Sequence, residues 1–229
     1  MGLRQIIRKL IKAETNDPFL NISYSQEGED LVLGRIFEFQ SEGFFVDVGA
    51  LHPKRFSNTY KFYRRGWRGI NIDAMPGSMA EFRKIRPEDI NLEIPVSDKA
   101  ETLDFYIFNE PALNTFSKEM AEERSQKAIY HVKKVVKVQT ETLSGILDAH
   151  LPAGKTIDFL TIDAEGLDFQ VLASNDWFKY RPKIVLIESE LDIRGLMGSE
   201  SDRLLEENGY TLYAKTVKTY FYKLNGFTI

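Results

Sequence analysis

Short apolar runs alternate along the chain with stretches that carry apolar residues at helical spacing. The runs are rich in β-branched and aromatic residues and are too short for helices. Because nearly every position in them is apolar, they predict strands buried on both faces, as in a parallel sheet covered by helices. The five runs lie at Phe44–Ala50, Gly69–Asp73, Ile90–Val96, Phe159–Asp163 and Ile184–Ile187.

The stretches between these runs predict the helices and the less buried strands. Leu103–Phe108 and Val135–Gln139 alternate apolar and polar residues, which favours half-exposed edge strands. Tyr210–Ala214 and Thr219–Lys223 predict a C-terminal antiparallel hairpin. The pattern therefore predicts an α/β fold with a mostly parallel central sheet. The predicted helices are Glu29–Gln40, Asn58–Arg65, Ser78–Ile85, Leu143–His150, Phe169–Ala173 and Ser201–Asn208.

The first two predicted strands both carry a carboxylate near the end. Asp47 precedes the turn at Gly49, and Asp73 closes the second run, 26 residues after Asp47. This spacing suits one strand–helix–strand unit, whose carboxyl ends open onto a ligand crevice. A carboxylate such as Asp73 can accept hydrogen bonds from both hydroxyls of a ribose. The sequence therefore indicates a nucleoside-containing cofactor.

The turn after the first strand discriminates between cofactors. A dinucleotide site uses three glycines in G-x-G-x-x-G to bring the backbone close to a pyrophosphate, whereas this turn contains Gly49 alone. S-adenosylmethionine has no phosphate, and its positive sulfonium and ammonium groups suit the nearby Asp47. In the alternative interpretation, Asp47 caps the following helix and Gly49 only forms a turn.

Composition agrees with one globular enzyme domain. The chain has 229 residues, 43% of them hydrophobic, and a formal net charge of −4, which argues against a general nucleic-acid binder. It contains no cysteine, which excludes a thiolate metal site and fits a cytoplasmic protein. No apolar run approaches the length of a membrane span. We expect a domain at 22–229 and an N-terminal extension at 1–21.

Several short motifs together resemble the FkbM family of methyltransferases. They are Tyr24–Asp30, Phe45–Ala50, Ser57–Thr59, Gly66–Gly69 with Asp73, and the D-x-E-G element within Ile157–Gly166. The resemblance implies a class I, Rossmann-like S-adenosylmethionine-dependent fold and, most often, O-methylation in the biosynthesis of glycans or related products. The cofactor-binding residues expected on this basis are Gln26, Asp47, Gly49, Ala50, Asn58, Asp73, Ala74, Ser97, Asp98 and Asp163, with Ser97 and Asp98 beside the adenine.

Methyl transfer to a hydroxyl needs in-line positioning and removal of a proton. Asp163, Glu165 and Glu188 lie at or just after the ends of the fourth and fifth strands, and His52 follows the first strand. One of these four residues is expected to act as a base, with Asp163 the first choice. In a second interpretation, less favoured, the three carboxylates hold a divalent metal such as Mg²⁺. In a third they are structural: Glu165 caps a helix and Glu188 pairs with Arg194 or Lys183.

Two further segments carry functional hypotheses. Asn109–Lys134 is a polar insertion between the edge strands, and we interpret it as a substrate lid or, alternatively, as a surface excursion. Residues 1–13 have a basic amphipathic pattern, which suits contact with the inner face of a membrane, packing on the same domain, or self-association.

Together these features predict a methyltransferase that transfers a methyl group from S-adenosylmethionine to a hydroxyl of a glycan, nucleotide sugar or related small molecule. Two alternatives remain at this stage. One is a catalytically idle Rossmann-like binding domain, and the other is a dinucleotide-dependent oxidoreductase, which the missing glycines disfavour.

Overall fold

The computed structural model describes residue 17 and residues 19–229. Seven strands form one sheet in the order β3-β2-β1-β6-β7-β9-β8, while β4 and β5 form a separate antiparallel pair. The strands are β1 (Phe44–Val48), β2 (Arg68–Ile72), β3 (Ile90–Leu92), β4 (Thr102–Phe108), β5 (Val132–Gln139), β6 (Phe159–Ile162), β7 (Ile184–Glu188), β8 (Tyr210–Lys215) and β9 (Thr219–Leu224).

Eight α-helices and one short 3₁₀ turn, Pro111–Leu113, connect these strands in the described part of the chain. The helices are α1 (Glu29–Ile36), α2 (Tyr60–Arg64), α3 (Met79–Ile85), α4 (Lys118–Ser125), α5 (Leu143–His150), α6 (Asp168–Ala173), α7 (Ile193–Leu196) and α8 (Glu200–Glu207).

The order of the parallel strands places a ligand crevice at the centre of the sheet. β1 pairs in parallel with β2 on one side and with β6 on the other, so the strand order reverses between β1 and β6. In open α/β sheets, ligands bind at such a reversal, outside the carboxyl ends of the strands. β9 then pairs antiparallel with both β7 and β8, which gives the C-terminal hairpin.

Side chains of β1 alternate between two apolar layers. Phe44, Val46 and Val48 belong to the larger core on one face of the sheet, whereas Phe45 packs with Trp67 in the core on the opposite face. All five residues of β1 are buried. Successive side chains of a strand point to opposite faces, and both faces of β1 are covered, so the strand needs apolar residues almost throughout.

The fold class predicted from the sequence is confirmed: the central sheet is mostly parallel and ends in an antiparallel hairpin. The ends of several elements differ. β3 ends at Leu92, short of the predicted end at Val96, because its parallel partner β2 ends at Ile72, opposite Leu92. Helix α1 ends at Ile36, and Phe39 beyond it is 97% exposed.

The polar insertion between β4 and β5 folds against the domain. It contains the 3₁₀ turn and helix α4, which begins after Ser117, where the Ser117 hydroxyl accepts a hydrogen bond from the N–H of Met120. Among the residues that the structure describes, no helix is both long and apolar enough to cross a bilayer. The amphipathic pattern of residues 1–13 lies outside the described residues, and the domain boundary at 21/22 stays a prediction.

Candidate active site

A cavity of about 390 Å³ opens at the carboxyl ends of β1, β2, β6 and β7. This volume falls within the range of about 300–1,000 Å³ that is usual for small-molecule sites. Of the sequence-predicted site residues, the cavity brings eight together: Gln26, Gly49, Asn58, Asp73, Ala74, Asp163, Glu165 and Glu188.

Gly49 is required by a close approach of two backbones. Its φ is +84°, and a Cβ added to it would lie 1.8 Å from the backbone oxygen of Asp163. A side chain at this position would therefore collide with the main chain at the end of β6. The turn is also held from β2, because the N–H groups of Gly49 and Ala50 donate to the carbonyl of Ile72 at 2.9 and 3.0 Å.

Asp73 lies at the cavity wall immediately after β2. Its Oδ2 accepts a hydrogen bond from the N–H of Leu51 at 2.9 Å, and its Oδ1 accepts one from the N–H of Met75 at 2.8 Å. These two bonds fix the carboxylate, and each oxygen keeps acceptor capacity for a hydroxyl. Burial raises the pKa of Asp73, although the backbone hydrogen bonds oppose the shift. The residue therefore fits the ribose hydroxyls of a nucleoside.

The structure does not bring Asp47 to the cavity. Its side chain is directed into the protein, where Oδ2 accepts a hydrogen bond from the Thr59 hydroxyl at 2.8 Å. Arg86, which is fully buried, donates to the same hydroxyl at 3.0 Å. Burial raises the pKa of Asp47 to about 6, an effect that the positive charge of Arg86 opposes. Asp47 thus belongs to a buried polar network behind the turn.

Three more predicted cofactor residues lie outside the cavity lining. Ala50 is buried behind the turn, Ser97 is buried and its N–H donates to the carbonyl of Glu141, and Asp98 is exposed. Because β3 ends early, Ile94 and Val96 line the cavity in place of Ser97 and Asp98. The apolar wall on this side also contains Met75, Leu113, Phe105 and Phe116, and the last two rings pack with centroids 4.7 Å apart.

His52 is also turned away from the cavity. Its Nδ1 accepts hydrogen bonds from the N–H groups of Lys54 and Arg55, and its Nε2 lies 3.1 Å from Glu81. Both ring nitrogens are therefore engaged on the surface of the loop. The structure gives no support to His52 as the base.

Asp163 and Glu188 form a carboxyl pair inside the cavity. Asp163 follows β6 and Glu188 ends β7, so the two residues lie side by side at the ends of paired strands, and both line the cavity. Burial, followed by the negative charge of Glu188, raises the pKa of Asp163 well above its usual range. A neighbouring negative charge disfavours ionisation of a buried carboxyl group.

Glu165 connects the cavity to the insertion. Arg124 of α4 donates to its carboxylate at 2.7 Å, and the Thr115 hydroxyl donates to its backbone oxygen at 2.7 Å. Burial raises the pKa of Glu165 to about 7, although Arg124 lowers it. Arg124 also donates to the carbonyl of Leu113, which ties the 3₁₀ turn to the same corner. The insertion therefore covers one side of the cavity.

Glu165 and Glu188 were considered above as a helix cap and as the partner of Arg194 or Lys183. The structure shows other contacts at these positions. Asp168 holds the loop before α6, because it accepts from the N–H of Ala164 at 2.9 Å and of Gly166 at 3.4 Å. Glu188 lies 3.5 Å from Lys218, whereas Lys183 pairs with Asp158 at 2.6 Å.

The three candidate metal ligands do not form a metal site in the structure. Asp163, Glu165 and Glu188 line the same cavity, and Glu165 is already paired with Arg124. Within residues 19–229, no group of three or more His, Asp or Glu side chains is arranged to hold a metal ion. The chain itself has no cysteine.

Gln26 and Glu27, just before α1, and Glu29, its first residue, form a further part of the cavity wall. No sequence motif indicates how this segment is anchored. Glu29 is 2% exposed, and its Oε1 accepts from the hydroxyl of Thr216 at 2.8 Å. Glu27 accepts from the N–H of Lys218 at 2.7 Å. These contacts join positions about 190 residues apart and hold Gln26 at the cavity. Only the acidic composition of the segment could have suggested such a role.

The mostly parallel sheet, whose strand order reverses between β1 and β6 beside the cavity, defines a Rossmann-like fold of the class I S-adenosylmethionine-dependent methyltransferases. A family model described as the Methyltransferase FkbM domain matches residues 47–212, so the chain belongs to the FkbM methyltransferase family. The chain is also similar to a TehB-like S-adenosylmethionine-dependent methyltransferase from Corynebacterium glutamicum, with 10% identity, 97% of each chain covered and a TM-score of 0.42. No curated protein matches with significance.

Proposed function

We propose that this methyltransferase transfers a methyl group to a hydroxyl of a carbohydrate-type acceptor. The observation that carries the proposal is the Asp163–Glu188 pair at the cavity. A sugar hydroxyl is a very weak acid, so its methylation requires a group that takes its proton. A carboxylate whose pKa is raised is a stronger base than an ordinary one and suits this task.

The cofactor would be held beside the turn after β1 and the end of β2. S-adenosylmethionine supplies an activated methyl group on a sulfonium. Asp73 would accept the ribose hydroxyls, and Gly49 keeps the turn after β1 free of a side chain. Met75, Ile94 and Phe105 offer an apolar wall to the adenine. Asn58, which donates to Thr161 at 3.0 Å, contributes an amide to the region between them.

The chemical step then depends on Asp163 and Glu188 acting together. Burial and the negative charge of Glu188 raise the pKa of Asp163, so its carboxylate binds a proton more strongly than an ordinary one. The ionised Asp163 takes the proton of the acceptor hydroxyl. Glu165, held by Arg124, keeps the lid against the same corner of the site and limits the access of water.

A direct experiment combines the enzyme and S-adenosylmethionine with a panel of methyl glycosides that includes glucose, galactose, mannose, fucose and rhamnose. We expect formation of S-adenosylhomocysteine together with a methyl ether, which mass spectrometry and NMR would identify. Glu207→Gln, an exposed substitution outside the cavity lining, should behave as the wild type. Methylation on nitrogen or carbon alone would contradict the proposal.

A further inference from the structure

The cavity is strongly acidic. Among the described residues that line it are eight carboxylates and three cationic side chains. The carboxylates are Glu27, Glu29, Asp73, Glu110, Asp163, Glu165, Glu188 and Glu190, and the cations are Arg55, Arg124 and Lys218. A cleft lined by one sign of charge concentrates the electrostatic field and selects among charged ligands.

Each cavity cation is already paired with a carboxylate. Arg55 donates to Glu110 at 3.0 Å, and Arg124 donates to Glu165 at 2.7 Å. Lys218 lies 2.5 Å from Glu190 and 3.5 Å from Glu188. An anionic group on the acceptor would have to displace one of these carboxylates before it could reach a cation.

Glu29 is the most enclosed carboxylate among the described residues that line the cavity, and none of these residues places a cation beside it. Glu29 is 2% exposed and is satisfied by neutral donors, namely the N–H of Glu27 and the hydroxyls of Thr216 and Thr219. The negative charge of Glu29 is therefore weakly screened by solvent. Asp163, whose pKa is raised by burial and by Glu188, adds less negative charge than an ordinary carboxylate.

The cofactor compensates only part of this charge. S-adenosylmethionine carries two positive groups and one carboxylate, hence one net positive charge. Asp73, on the cofactor side, is occupied by hydroxyls in the proposed function and is not neutralised by them. In the part of the cavity that contains Lys218, four carboxylates outnumber this one cation and keep a negative excess with the cofactor bound: Glu27, Glu29, Glu188 and Glu190.

We propose that the acceptor is a polyhydroxylated molecule that carries no phosphate or carboxylate near the methylated hydroxyl and is either neutral or bears a protonated amine. The inference rests on the proposed function and narrows it, because it excludes nucleotide sugars and uronic acids as acceptors. Neutral hydroxyls can donate to the carboxylates, whereas an anion would be repelled by them and would find every cation among the described cavity residues already paired.

The experiment measures binding of three matched sugars to the enzyme saturated with S-adenosylhomocysteine. The probes are glucosamine, methyl glucoside and glucuronate, in a buffer at about pH 6.5, where the amine is protonated. Saturation-transfer NMR gives the three dissociation constants. We expect glucosamine and methyl glucoside to bind at least about tenfold more tightly than glucuronate, a difference that shrinks as salt is added.

Two variants test whether the charges of the cavity cause the preference, and they should change it in opposite directions. Glu188→Gln removes one negative charge and should reduce the preference for glucosamine over glucuronate severalfold. Lys218→Gln removes one positive charge and should increase it. Glu207→Gln, distant from the cavity, should leave the order and the ratios unchanged.

The outcomes separate this inference from the proposed function. Failure of S-adenosylhomocysteine to bind would count against the cofactor assignment and hence against the proposed function. Binding of S-adenosylhomocysteine together with equal or tighter binding of glucuronate would overturn the charge preference alone. Absence of binding by all three sugars to the loaded enzyme would also overturn it, since the cavity would then not accept this class of molecule.

Discussion

Asp163 and Glu188 stand at the ends of two neighbouring parallel strands, and both carboxyl groups line the cavity. The pairing of β6 with β7 brings the two residues together, because parallel strands in register end at the same edge of the sheet. Burial, together with the negative charge of Glu188, raises the pKa of Asp163. The predictions on chemistry follow from this pair.

Asp163→Asn should lower kcat by about 10²–10⁴, because the amide has almost no basicity. The dissociation constant of S-adenosylhomocysteine, measured by calorimetry, should change far less. In the wild type, kcat should rise with pH as Asp163 loses its proton, because only the carboxylate can act as the base, and this rise should disappear in the variant. A His52→Gln variant is the matched comparison and should keep near wild-type turnover. The reverse result, with His52→Gln inactive and Asp163→Asn active, would make His52 the base.

Asp73→Ala should weaken binding of S-adenosylhomocysteine by about 2–3 kcal/mol, since hydrogen bonds to a charged acceptor are lost. The fold should survive, because Asp73 follows β2 and lies outside both main apolar cores. Calorimetry for binding and circular dichroism for folding check the two statements. Unchanged affinity in a folded variant would rule out Asp73 as the ribose acceptor.

Gly49→Ala should destabilise the protein by more than about 2 kcal/mol and abolish cofactor binding, because the new Cβ collides with the backbone oxygen of Asp163. Gly77→Ala is the matched control. Gly77 has a φ of +87°, close to that of Gly49, but a Cβ there meets nothing within 4 Å. The loss of stability in Gly77→Ala should come from the backbone conformation alone, about 1 kcal/mol. Denaturant unfolding of both variants checks the difference, and equal losses would contradict the collision.

Chelation should leave turnover intact. Asp163, Glu165 and Glu188 do not form a group suited to a metal ion in the described structure, and Glu165 is already paired with Arg124. Formation of S-adenosylhomocysteine should therefore proceed equally before and after exhaustive treatment with EDTA. Loss of activity that Mg²⁺ or Mn²⁺ restores would favour the alternative in which these carboxylates bind a metal.

Stability should fall as the pH rises from acidic to neutral. Burial raises the pKa of Asp168 from 3.8 to about 6, so the folded carboxyl holds its proton more tightly than the unfolded one. Its stabilising effect is therefore complete below about pH 4 and is lost as the pH rises through about 6. The shift corresponds to about 3 kcal/mol. Asp168→Asn should flatten this dependence in thermal unfolding, whereas the exposed Asp104→Asn should not.

The sequence predicts the strands better than it predicts the direction of their side chains. The apolar runs identified the parallel strands, and Asp73 lies at the cavity as expected. Asp47 lies away from the cavity. The sequence could not indicate this, because β1 is buried on both faces and has no alternation of polar residues that would show the face toward which Asp47 points. The position of a residue at a strand end therefore does not establish contact with the cavity.

Sequence patterns do not predict the contacts between distant segments of this chain. Glu27 and Glu29 join the cavity wall through the β8–β9 turn, and Lys218 reaches Glu188 from that same turn. Only tertiary folding brings these residues together. The sequence allows two interpretations of the insertion, a substrate lid and a surface excursion. Its ion pair with Glu165 supports the lid.

The close contact between Gly49 and the backbone of Asp163 differs in kind from the contacts that attach the rest of the cavity wall. The turn after β1 and the end of β6 are aligned by main-chain contact, which exchanges of the surrounding side chains leave in place as long as position 49 is glycine. The insertion and the segment at the start of α1 are instead attached by side-chain contacts such as Arg124 with Glu165. Exchange of such pairs would therefore reshape the cavity wall while the main-chain contact between the two strand ends stays the same.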